Sequence, residues 1–224
     1  MKSRPPAWLL AAALALAAGW ASGDGGAAQS GGGLTAYDRQ GNAITAANRF
    51  DGSRHFVQIT SCSRLRGVNW DRIHSDGYQE AANAVAADAA GNVFVAGMRF
   101  NETAKAFWVV KLSPGGDFLW ERTDSVQSCA AFNVLASEGG DAWVAGSCVV
   151  GGSTPARLAR YDGSGSLLWS QLYDEGGRHY VRGLSLDFMG RASVTMEISR
   201  GLGAGGSAIR TAVYDQWGSR LAVY

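Results

Sequence analysis

The sequence predicts an all-β protein: a β-propeller of four repeats of about 50 residues, with four antiparallel strands in each blade. Three observations carry this prediction. A short turn phrase returns at steps of 50, 49 and 50 residues, with its glycine at Gly41, Gly91, Gly140 and Gly190. Segments with the apolar and β-branched pattern of strands flank each phrase. A tryptophan recurs near the end of the first three repeats, at Trp70, Trp120 and Trp169.

The first two strands of each repeat enclose the turn phrase. First strands are predicted at residues 34–37, 84–87, 133–136 and 183–186, and second strands at residues 43–46, 93–96, 142–145 and 192–195. Partial alternation and β-branched or aromatic side chains favour strand over helix. In the phrase, the carboxylates of Asp38, Asp88 and Asp187 can accept hydrogen bonds from backbone N–H groups, and the glycine tolerates a positive φ. We interpret these carboxylates as turn residues and not as calcium ligands.

The third and fourth strands complete each repeat. Third strands are predicted at residues 56–59, 107–112, 156–161 and 209–214. The fourth strand holds the recurring tryptophan, except that Leu221 and Ala222 stand at that place in the last repeat. A blade cannot bury both of its faces alone, so blades must stack face to face. We expect the tryptophans to fill the space between neighbouring blades, and stacking on a ligand is the alternative.

The second repeat resembles a known family. Residues 84–97, AVAADAAGNVFVAG, followed by residues 108–120, WVVKLSPGGDFLW, resemble the bacterial β-propeller repeat called SBBP. The Gly-x-x-x-Trp ending is also similar to the repeat of pyrroloquinoline-quinone propellers. The resemblance covers residues 34–224 and implies a propeller outside the cytoplasm. It carries over no catalytic residue, because the recurring positions are structural, and such arrays usually have more than four blades.

The N-terminal 23 residues are typical of a secretory signal peptide. Lys2 and Arg4 precede an apolar run over residues 7–18, and small residues follow it. The alternative, a membrane anchor, needs a run of roughly 20 residues. We expect the mature chain to begin at Ser22 or Asp24. The domains predicted from composition and repeats are a signal peptide at 1–23, a flexible Gly/Ala-rich leader at 24–33 and a propeller at 34–224, with blades at 34–77, 78–126, 127–176 and 177–224.

The charge balance limits the possible partners. The chain has 20 Lys and Arg against 19 Asp and Glu, and removal of Lys2 and Arg4 would leave 18 against 19, a net charge of −1. A nearly neutral chain without a basic run gives no electrostatic reason to bind nucleic acid or an anionic membrane. We therefore expect no nucleic-acid partner, no membrane insertion after signal cleavage, and a secreted or periplasmic location.

The three cysteines are Cys62, Cys129 and Cys148. In a secreted chain, cysteines that can pair usually form disulfides. Cys129 lies 10 residues before residue 139, the middle of the third turn phrase, and Cys148 lies 9 residues after it. On a regular hairpin the two fall nearly opposite each other. We predict a Cys129–Cys148 disulfide within blade three, with no assigned role for Cys62. Three free thiols are the alternative.

No catalytic, metal or cofactor site is predicted. His55, His74 and His179 lack the spacing of metal ligands, and we interpret them as solvated loop histidines. They fall in loops on one face of the propeller, so a convergent metal or catalytic site is the alternative. The sequence contains no Gly-x-Ser-x-Gly, phosphate loop, His-Glu-x-x-His or dinucleotide fingerprint.

The leading hypothesis is a secreted or periplasmic, non-enzymatic propeller that acts as a binding or interaction scaffold, because binding usually resides in the loops of a rigid scaffold. The candidate binding residues lie in the loops of one face: His55, Asp76, Tyr78, Glu102, Lys105, Asp174, Glu175, Arg178 and His179. The expected ligand is a protein or a glycan. One alternative is a glycan-active hydrolase or lyase that pairs Glu102 with Asp174 or Glu175. The other is a structural subunit of a cell-envelope assembly.

Four blades is the low end of the range for propellers. The chain either closes a ring alone, with blade one packed on blade four, or supplies half of a larger ring as a homodimer. Atypical first and last blades favour the monomeric ring. If the ring stays open, we expect the faces of the end blades to be large apolar patches that need a partner.

Overall fold

A computed structural model describes residues 30–31, 34–75, 77–102, 104–124, 128–200 and 206–224. Every regular element in these residues is a β-strand. A short strand, β1 (Ser30–Gly31), precedes four sheets that follow one another along the chain. Within these ranges there is no helix of the length and apolar character needed to cross a bilayer.

Each sheet is one blade of four antiparallel strands in sequential order. Blade one contains β2 (Thr35–Tyr37), β3 (Ala43–Phe50), β4 (His55–Ser63) and β5 (Gly67–His74). Blade two contains β6 (Gln79–Ala87), β7 (Val93–Phe100), β8 (Lys105–Leu112) and β9 (Phe118–Asp124). Blade three contains β10 (Ser128–Ala136), β11 (Ala142–Val149), β12 (Ala156–Tyr161) and β13 (Leu167–Tyr173). Blade four contains β14 (Arg178–Leu186), β15 (Ala192–Ser199), β16 (Ser207–Tyr214) and β17 (Arg220–Val223).

The predicted fold class is confirmed, and the first strands of blades two to four are longer than predicted. They begin five residues earlier, at Gln79, Ser128 and Arg178. Each of them contains a β-bulge where the register against the second strand shifts, between residues 82 and 84, 131 and 133, and 181 and 183. A bulge adds one residue and breaks the alternation of side chains, so the sequence pattern shows only the half of the strand after the bulge.

The side chain at the start of each turn phrase accepts backbone hydrogen bonds, as predicted for the aspartates. In three blades an aspartate Oδ1 accepts a hydrogen bond from the backbone N–H four residues later: Asp38 from Asn42 at 2.8 Å, Asp88 from Asn92 at 2.8 Å and Asp187 from Arg191 at 2.9 Å. In blade three, Ser137 Oγ accepts the corresponding bond from Asp141 at 3.0 Å. The glycine of each phrase has φ between +73° and +86°, a region that side chains disfavour.

The core consists of three apolar clusters, each between two successive blades. The cluster between blades one and two includes Ile44, Val57 and Trp108, and the one between blades two and three includes Phe94 and Phe107. A third cluster, built around Trp143, Leu158 and Met196, joins blades three and four. Each interior blade thus buries both faces, which is the arrangement that an isolated sheet cannot achieve.

The recurring tryptophans join each blade to the next. Each indole Nε1 donates a hydrogen bond to a backbone carbonyl in the third-to-fourth-strand turn of the following blade: Trp70 to Pro114 at 2.8 Å, Trp120 to Gly163 at 3.0 Å and Trp169 to Gln216 at 2.9 Å. The indole ring covers a glycine of that turn so closely that an added Cβ would lie 2.7 Å from a ring carbon, at Gly116, Gly165 and Gly218. We call this pairing the tryptophan–turn contact. It confirms that the tryptophans fill the space between blades.

The two ends of the array lack this contact. In blade four, Ala222 lies opposite Val213, the register position that corresponds to the tryptophans. In blade one, a Cβ added to Gly67 of the corresponding turn would meet no atom within 4 Å. Among the described residues, blade four does not pack on blade one as successive blades pack on each other. The expected closed ring with blade one against blade four is therefore absent, and the four blades form an open arc.

The outward faces of the end blades combine polar groups with exposed apolar side chains, such as Ile73 at 58% and Ile209 at 60% exposure. On blade one, Asp71 accepts hydrogen bonds from Gln58 Nε2 at 2.7 Å and Thr60 Oγ1 at 2.9 Å. On blade four, Thr195 and Thr211 lie with their hydroxyl oxygens 3.0 Å apart. Polar outer faces are how terminal repeats of an array remain compatible with water.

The segment before blade one reaches the opposite end of the arc. Ser30 and Gly31 pair antiparallel with Ser185 and Leu184 of β14, so β1 becomes a fifth strand at the inner edge of blade four. It also lies close to β6 and β10, the first strands of blades two and three. Two residues of the predicted flexible leader are therefore paired, and residues 24–29 and 32–33 lie outside the described residues.

The predicted disulfide is present. Cys129 and Cys148 are bonded and lie directly opposite each other on β10 and β11, with their Cα atoms 4.0 Å apart. Both are buried on the face of blade three that packs against blade two. Cys62 is a free, half-buried thiol on the outward face of blade one, and burial raises its pKa.

Replacing Trp120 with alanine is expected to lower the free energy of unfolding by about 3 kcal/mol, because it removes the ring between blades two and three and leaves a cavity. Trp217, which is 73% exposed, provides the matched control, and Trp217→Ala is expected to change stability by less than about 0.5 kcal/mol. Urea unfolding monitored by circular dichroism measures both. Equal midpoints for the two variants would show that the tryptophan–turn contact does not stabilise the array.

Removing the disulfide is also expected to destabilise the protein by about 3 kcal/mol, the chain-entropy value for a loop of about 20 residues. Urea unfolding of Cys129→Ala/Cys148→Ala measures the loss, and Cys62→Ala is the control that should retain wild-type behaviour under non-reducing conditions. Non-reducing peptide mapping should recover Cys129 and Cys148 in one linked species. A link from Cys62 to either cysteine would contradict this assignment.

Candidate functional site

The ends of the strands define two faces of the arc. Because strand order within each blade is sequential and antiparallel, the second-to-third-strand loops and the connections between blades emerge together, and we call this the loop face. The turn phrases and the third-to-fourth-strand turns emerge at the opposite end, the turn face. The predicted binding residues that the structure describes lie at or next to connections of the loop face, and Asp76 lies outside the described residues.

Three rings, of which Phe50 and His55 are exposed and Phe100 is half-buried, form an aromatic cluster on the loop face of blades one and two. His55, the first residue of β4, lies opposite Phe50 with ring centroids 4.8 Å apart. Phe100 of blade two lies 5.8 Å from the same imidazole. Phe50 is 59% exposed, and His55 is exposed as predicted. The cluster therefore presents ring surface to solvent across the junction of two blades.

Tyr78 lies nearby, just before β6, and is 54% exposed. The guanidinium of Arg99 lies 4.7 Å from the centre of its ring, a cation–π contact. Gln79, the next residue, lies opposite Phe100 in the β6–β7 register. Tyr78 and the aromatic cluster thus occupy the same end of blade two.

A buried ionic network holds the Arg99 guanidinium that contacts the Tyr78 ring. Arg99 Nη2 lies 2.8 Å from an oxygen of Glu80, whose side chain is fully buried, and also contacts Glu121. His74 of β5 completes the network across the blade junction, with Nδ1 2.5 Å from Glu80 and Nε2 3.3 Å from Glu121. Trp108 Nε1 donates a hydrogen bond to Glu121 at 2.8 Å.

The charges of this network balance. Burial disfavours the charged imidazole, but hydrogen bonds to Glu121 and Glu80 and their negative charges raise the pKa of His74 to about 9. The imidazolium and the guanidinium therefore face two carboxylates. Although burial alone would raise the pKa of Glu121, the hydrogen bond and charge of His74 hold it below its usual value. Such a network is costly to break, because removal of one partner leaves a buried unpaired charge.

This arrangement corrects the interpretation of His74 as a solvated loop histidine. His74 is the last residue of β5, and only 7% of it is exposed. The sequence offered one signal, since Glu80 is the one charged residue of an alanine-rich strand. Glu80 alone does not identify a partner, because His74 and Glu121 belong to neighbouring outer strands that only the packing of blade one on blade two brings together.

The network also contains the one group of potential metal ligands found among the described residues. His74, Glu80 and Glu121 offer ligand atoms within 4.8 Å of one another. Both imidazole nitrogens already contact carboxylates, and Arg99 occupies the space next to both carboxylates. A metal ion could enter only after displacing Arg99 and the imidazole proton, so the donor set fits an internal ion network better than a metal centre.

Asp174 and Glu175, two of the remaining predicted residues near blades three and four, make internal contacts. Asp174 accepts a hydrogen bond from Ser153 Oγ at 2.7 Å, while Glu175 contacts the Tyr173 hydroxyl and lies within 3.4 Å of Arg200 and Arg210. Arg178 is exposed at the start of β14. The structure thus uses both carboxylates to fix the junction between these blades.

His179 is a structural residue and not the solvated loop histidine that we predicted. It lies in β14 and is 1% exposed. Its Nδ1 lies 3.0 Å from the Thr154 carbonyl, and its Nε2 accepts a hydrogen bond from the Glu175 backbone N–H at 3.1 Å. Nε2 therefore carries no proton, and Nδ1 donates. Both nitrogens hold the loop at the junction of blades three and four.

Glu102 and Lys105 are exposed at the loop between β7 and β8. The proposed catalytic pair would join Glu102 to Asp174 or Glu175. Hydrogen bonds from Ser153 and Tyr173 respectively lower the pKa of Asp174 and of Glu175. A glycosidase needs one carboxyl that donates a proton near neutral pH, and neither of these two carboxylates is suited to that role.

The described residues also form a shallow polar pocket of about 150 Å³ on the turn face, lined in part by Asp38, Arg39, Asp88 and Glu138. This volume is smaller than the pockets of about 300 Å³ or more that enclose small-molecule ligands. The exposed rings of the loop face are therefore the stronger candidate for an interaction site.

A comparison of the chain with protein-family models finds no match, and a comparison with curated proteins finds no significant relative.

The raised pKa of His74 predicts a loss of stability in mild alkali. Folding holds the proton on His74 up to a pKa of about 9 instead of 6.5, so the stabilisation is fully present below pH 6.5 and disappears as the pH rises through 9. The loss is on the order of 3 kcal/mol, because each pH unit between 6.5 and 9 contributes about 1.4 kcal/mol. Urea unfolding between pH 6 and about 10 measures this decrease in stability. His74→Gln is expected to abolish the decrease, and the control His55→Gln is expected to show it as the wild type does.

Nuclear magnetic resonance titration of the wild-type histidines tests the same prediction without a substitution in the core. The His74 imidazole should titrate with a midpoint near 9. A midpoint at the ordinary histidine value of about 6.5 would contradict the charged form of the network.

Proposed function

We propose that this protein is a secreted or periplasmic, non-enzymatic binding scaffold, and that the loop face of blades one and two contacts its ligand. The observation that carries the proposal is the aromatic cluster of Phe50, His55 and the half-buried Phe100, together with the exposed ring of Tyr78. Aromatic residues at fixed positions on a rigid scaffold supply large contact areas at low entropic cost.

The fold itself does not require these rings. The residues that correspond to Phe50 and Phe100 at the ends of β11 and β15 are Val149 and Ser199. Blades three and four therefore form the same hairpin without an aromatic residue at that place. Exposed aromatic side chains that contribute little to the core are best explained by contact with another molecule.

The support under Tyr78 favours a preorganised site. Arg99 is fixed by Glu80 and Glu121 on one side and contacts the Tyr78 ring on the other. A ring held in place before binding loses less conformational entropy when a ligand arrives. The ligand that we expect is a protein or a glycan, since both are recognised by exposed rings bordered by polar residues such as Glu102 and Lys105.

An extracytoplasmic location agrees with two features. The buried Cys129–Cys148 disulfide is of the kind that forms and persists in oxidising compartments. The N-terminal sequence has the pattern of a secretory signal. The likeness of the repeat to SBBP arrays supports the same location, and we extend the proposal to membership of that repeat type. The monomeric state remains our expectation.

The proposal is tested by binding of the mature protein to immobilised glycans and to envelope proteins. His55→Ala/Tyr78→Ala is expected to lower affinity for any captured ligand at least tenfold, on the order of 1–2 kcal/mol. Tyr180→Ala, at a ring 42% exposed on blade four, is the matched control and should bind as the wild type. A ligand bound equally by all three proteins would exclude this site, and capture of no ligand by the wild type would contradict the proposed function.

A further inference from the structure

Blade four carries three large apolar side chains at the tips of its two turns on the turn face. Phe188 and Met189 occupy the turn between β14 and β15 and are 95% and 60% exposed. Trp217 occupies the turn between β16 and β17 and is 73% exposed. We call these three residues the apolar tips. They lie on the side of the arc opposite to the candidate binding site.

The fold does not call for large apolar residues at these tips. In the turn phrases of blades two and three, the residues that correspond to Phe188 and Met189 are small or polar: Ala89 and Ala90 in one, Glu138 and Gly139 in the other. The residues that correspond to Trp217 are Gly115 and Ser164. All of these turns have the same hydrogen-bonded form, so the apolar tips are an addition to a turn that is complete without them.

Hydrogen bonds hold both tips in place. Asp187 Oδ1 accepts a bond from the Met189 backbone N–H, and Asp215 Oδ1 accepts one from the Trp217 backbone N–H, each at 2.9 Å. The Gln216 carbonyl next to Trp217 accepts the indole bond of Trp169 from blade three. The turns are thus anchored while their apolar side chains project into solvent.

The two turns that carry the apolar tips are close enough for the three side chains to contact one surface. They lie at the same end of one sheet, where Ala192 at the start of β15 is opposite Tyr214 at the end of β16. Two spacings between strands separate the turns, which is about 10 Å. Leu65, 93% exposed between Arg64 and Arg66 in the corresponding turn of blade one, projects from the same face at the other end of the arc.

The charge at the tips is compatible with contact with an apolar medium. Asp187 pairs with Arg191 at 2.6 Å, and Asp215 accepts backbone bonds from Trp217 and Ser219. Each carboxylate is therefore directed back into its own turn. Protruding tips of this kind need no shaped pocket, and a bilayer surface accommodates them because tryptophan favours the headgroup region while phenylalanine and methionine reach the acyl chains.

We propose that the apolar tips insert shallowly into the interfacial region of a phospholipid bilayer. The occupant is the lipid surface, and the contact is reversible because only a few side chains are buried. This replaces our expectation of no membrane insertion, which rested on the near-neutral charge of the chain. Burial of apolar area needs no net positive charge, so the contact is expected with zwitterionic lipid. The loop face then points away from the membrane.

Sedimentation of the mature protein with phosphatidylcholine vesicles, with and without phosphatidylglycerol, tests the proposal. The wild type should bind both, and Phe188→Ser/Trp217→Ser should lower the vesicle partition coefficient at least about tenfold. Tyr180→Ser, at a ring 42% exposed on blade four and outside the apolar tips, is the matched control and should bind as the wild type. Because the substituted residues are exposed, thermal unfolding of all variants should match that of the wild type.

Fluorescence with brominated phosphatidylcholine locates the insertion. The wild type should be quenched on binding, whereas Trp217→Phe should still bind with most of that quenching lost. Absence of wild-type binding to both kinds of vesicle would overturn the proposal, and so would equal binding by Phe188→Ser/Trp217→Ser. Binding restricted to anionic vesicles and insensitive to the tips would equally overturn it in favour of an electrostatic contact.

Discussion

Burial of each blade face against the next blade is the constraint on which this structure depends. A four-stranded sheet of this size has apolar residues on both faces in the interior blades, and only stacking removes both from water. The tryptophan–turn contact fixes the distance and register of each stack, because the indole packs on a glycine and bonds to a carbonyl of the same turn. A larger residue at Gly116, Gly165 or Gly218 would occupy the space of the ring.

The same constraint explains the unusual end blades. In blade four, Ala222 stands at the position of the recurring tryptophan. The outward faces carry threonines and hydrogen-bonded polar groups beside exposed apolar side chains. The paired residues of β1 join the inner edge of blade four to the start of the chain. The described blades thus form an open arc and not the closed ring that the atypical first and last blades were expected to favour.

Local chemistry was predictable from the sequence, whereas contacts between blades were not. The aspartate turns, the glycines and the Cys129–Cys148 pair depend on residues within one hairpin, so spacing alone located them. His74 and His179 were misinterpreted because their partners belong to adjacent elements whose packing the repeat pattern does not specify. Exposed positions such as His55 and Tyr78 were located correctly, but their aromatic and cationic neighbours came only from three-dimensional proximity.

The direction of the tryptophan–turn contact has a consequence for assembly of the chain. Each indole bonds to a residue that lies later in the sequence, by 44 residues for Trp70, 43 for Trp120 and 47 for Trp169. A polypeptide emerges from the ribosome N-terminus first. A blade can therefore form its own hairpins at once, but its tryptophan–turn contact forms only after nearly one further repeat has been synthesised. Maturation then proceeds vectorially, with each newly emerged blade completing the one before it.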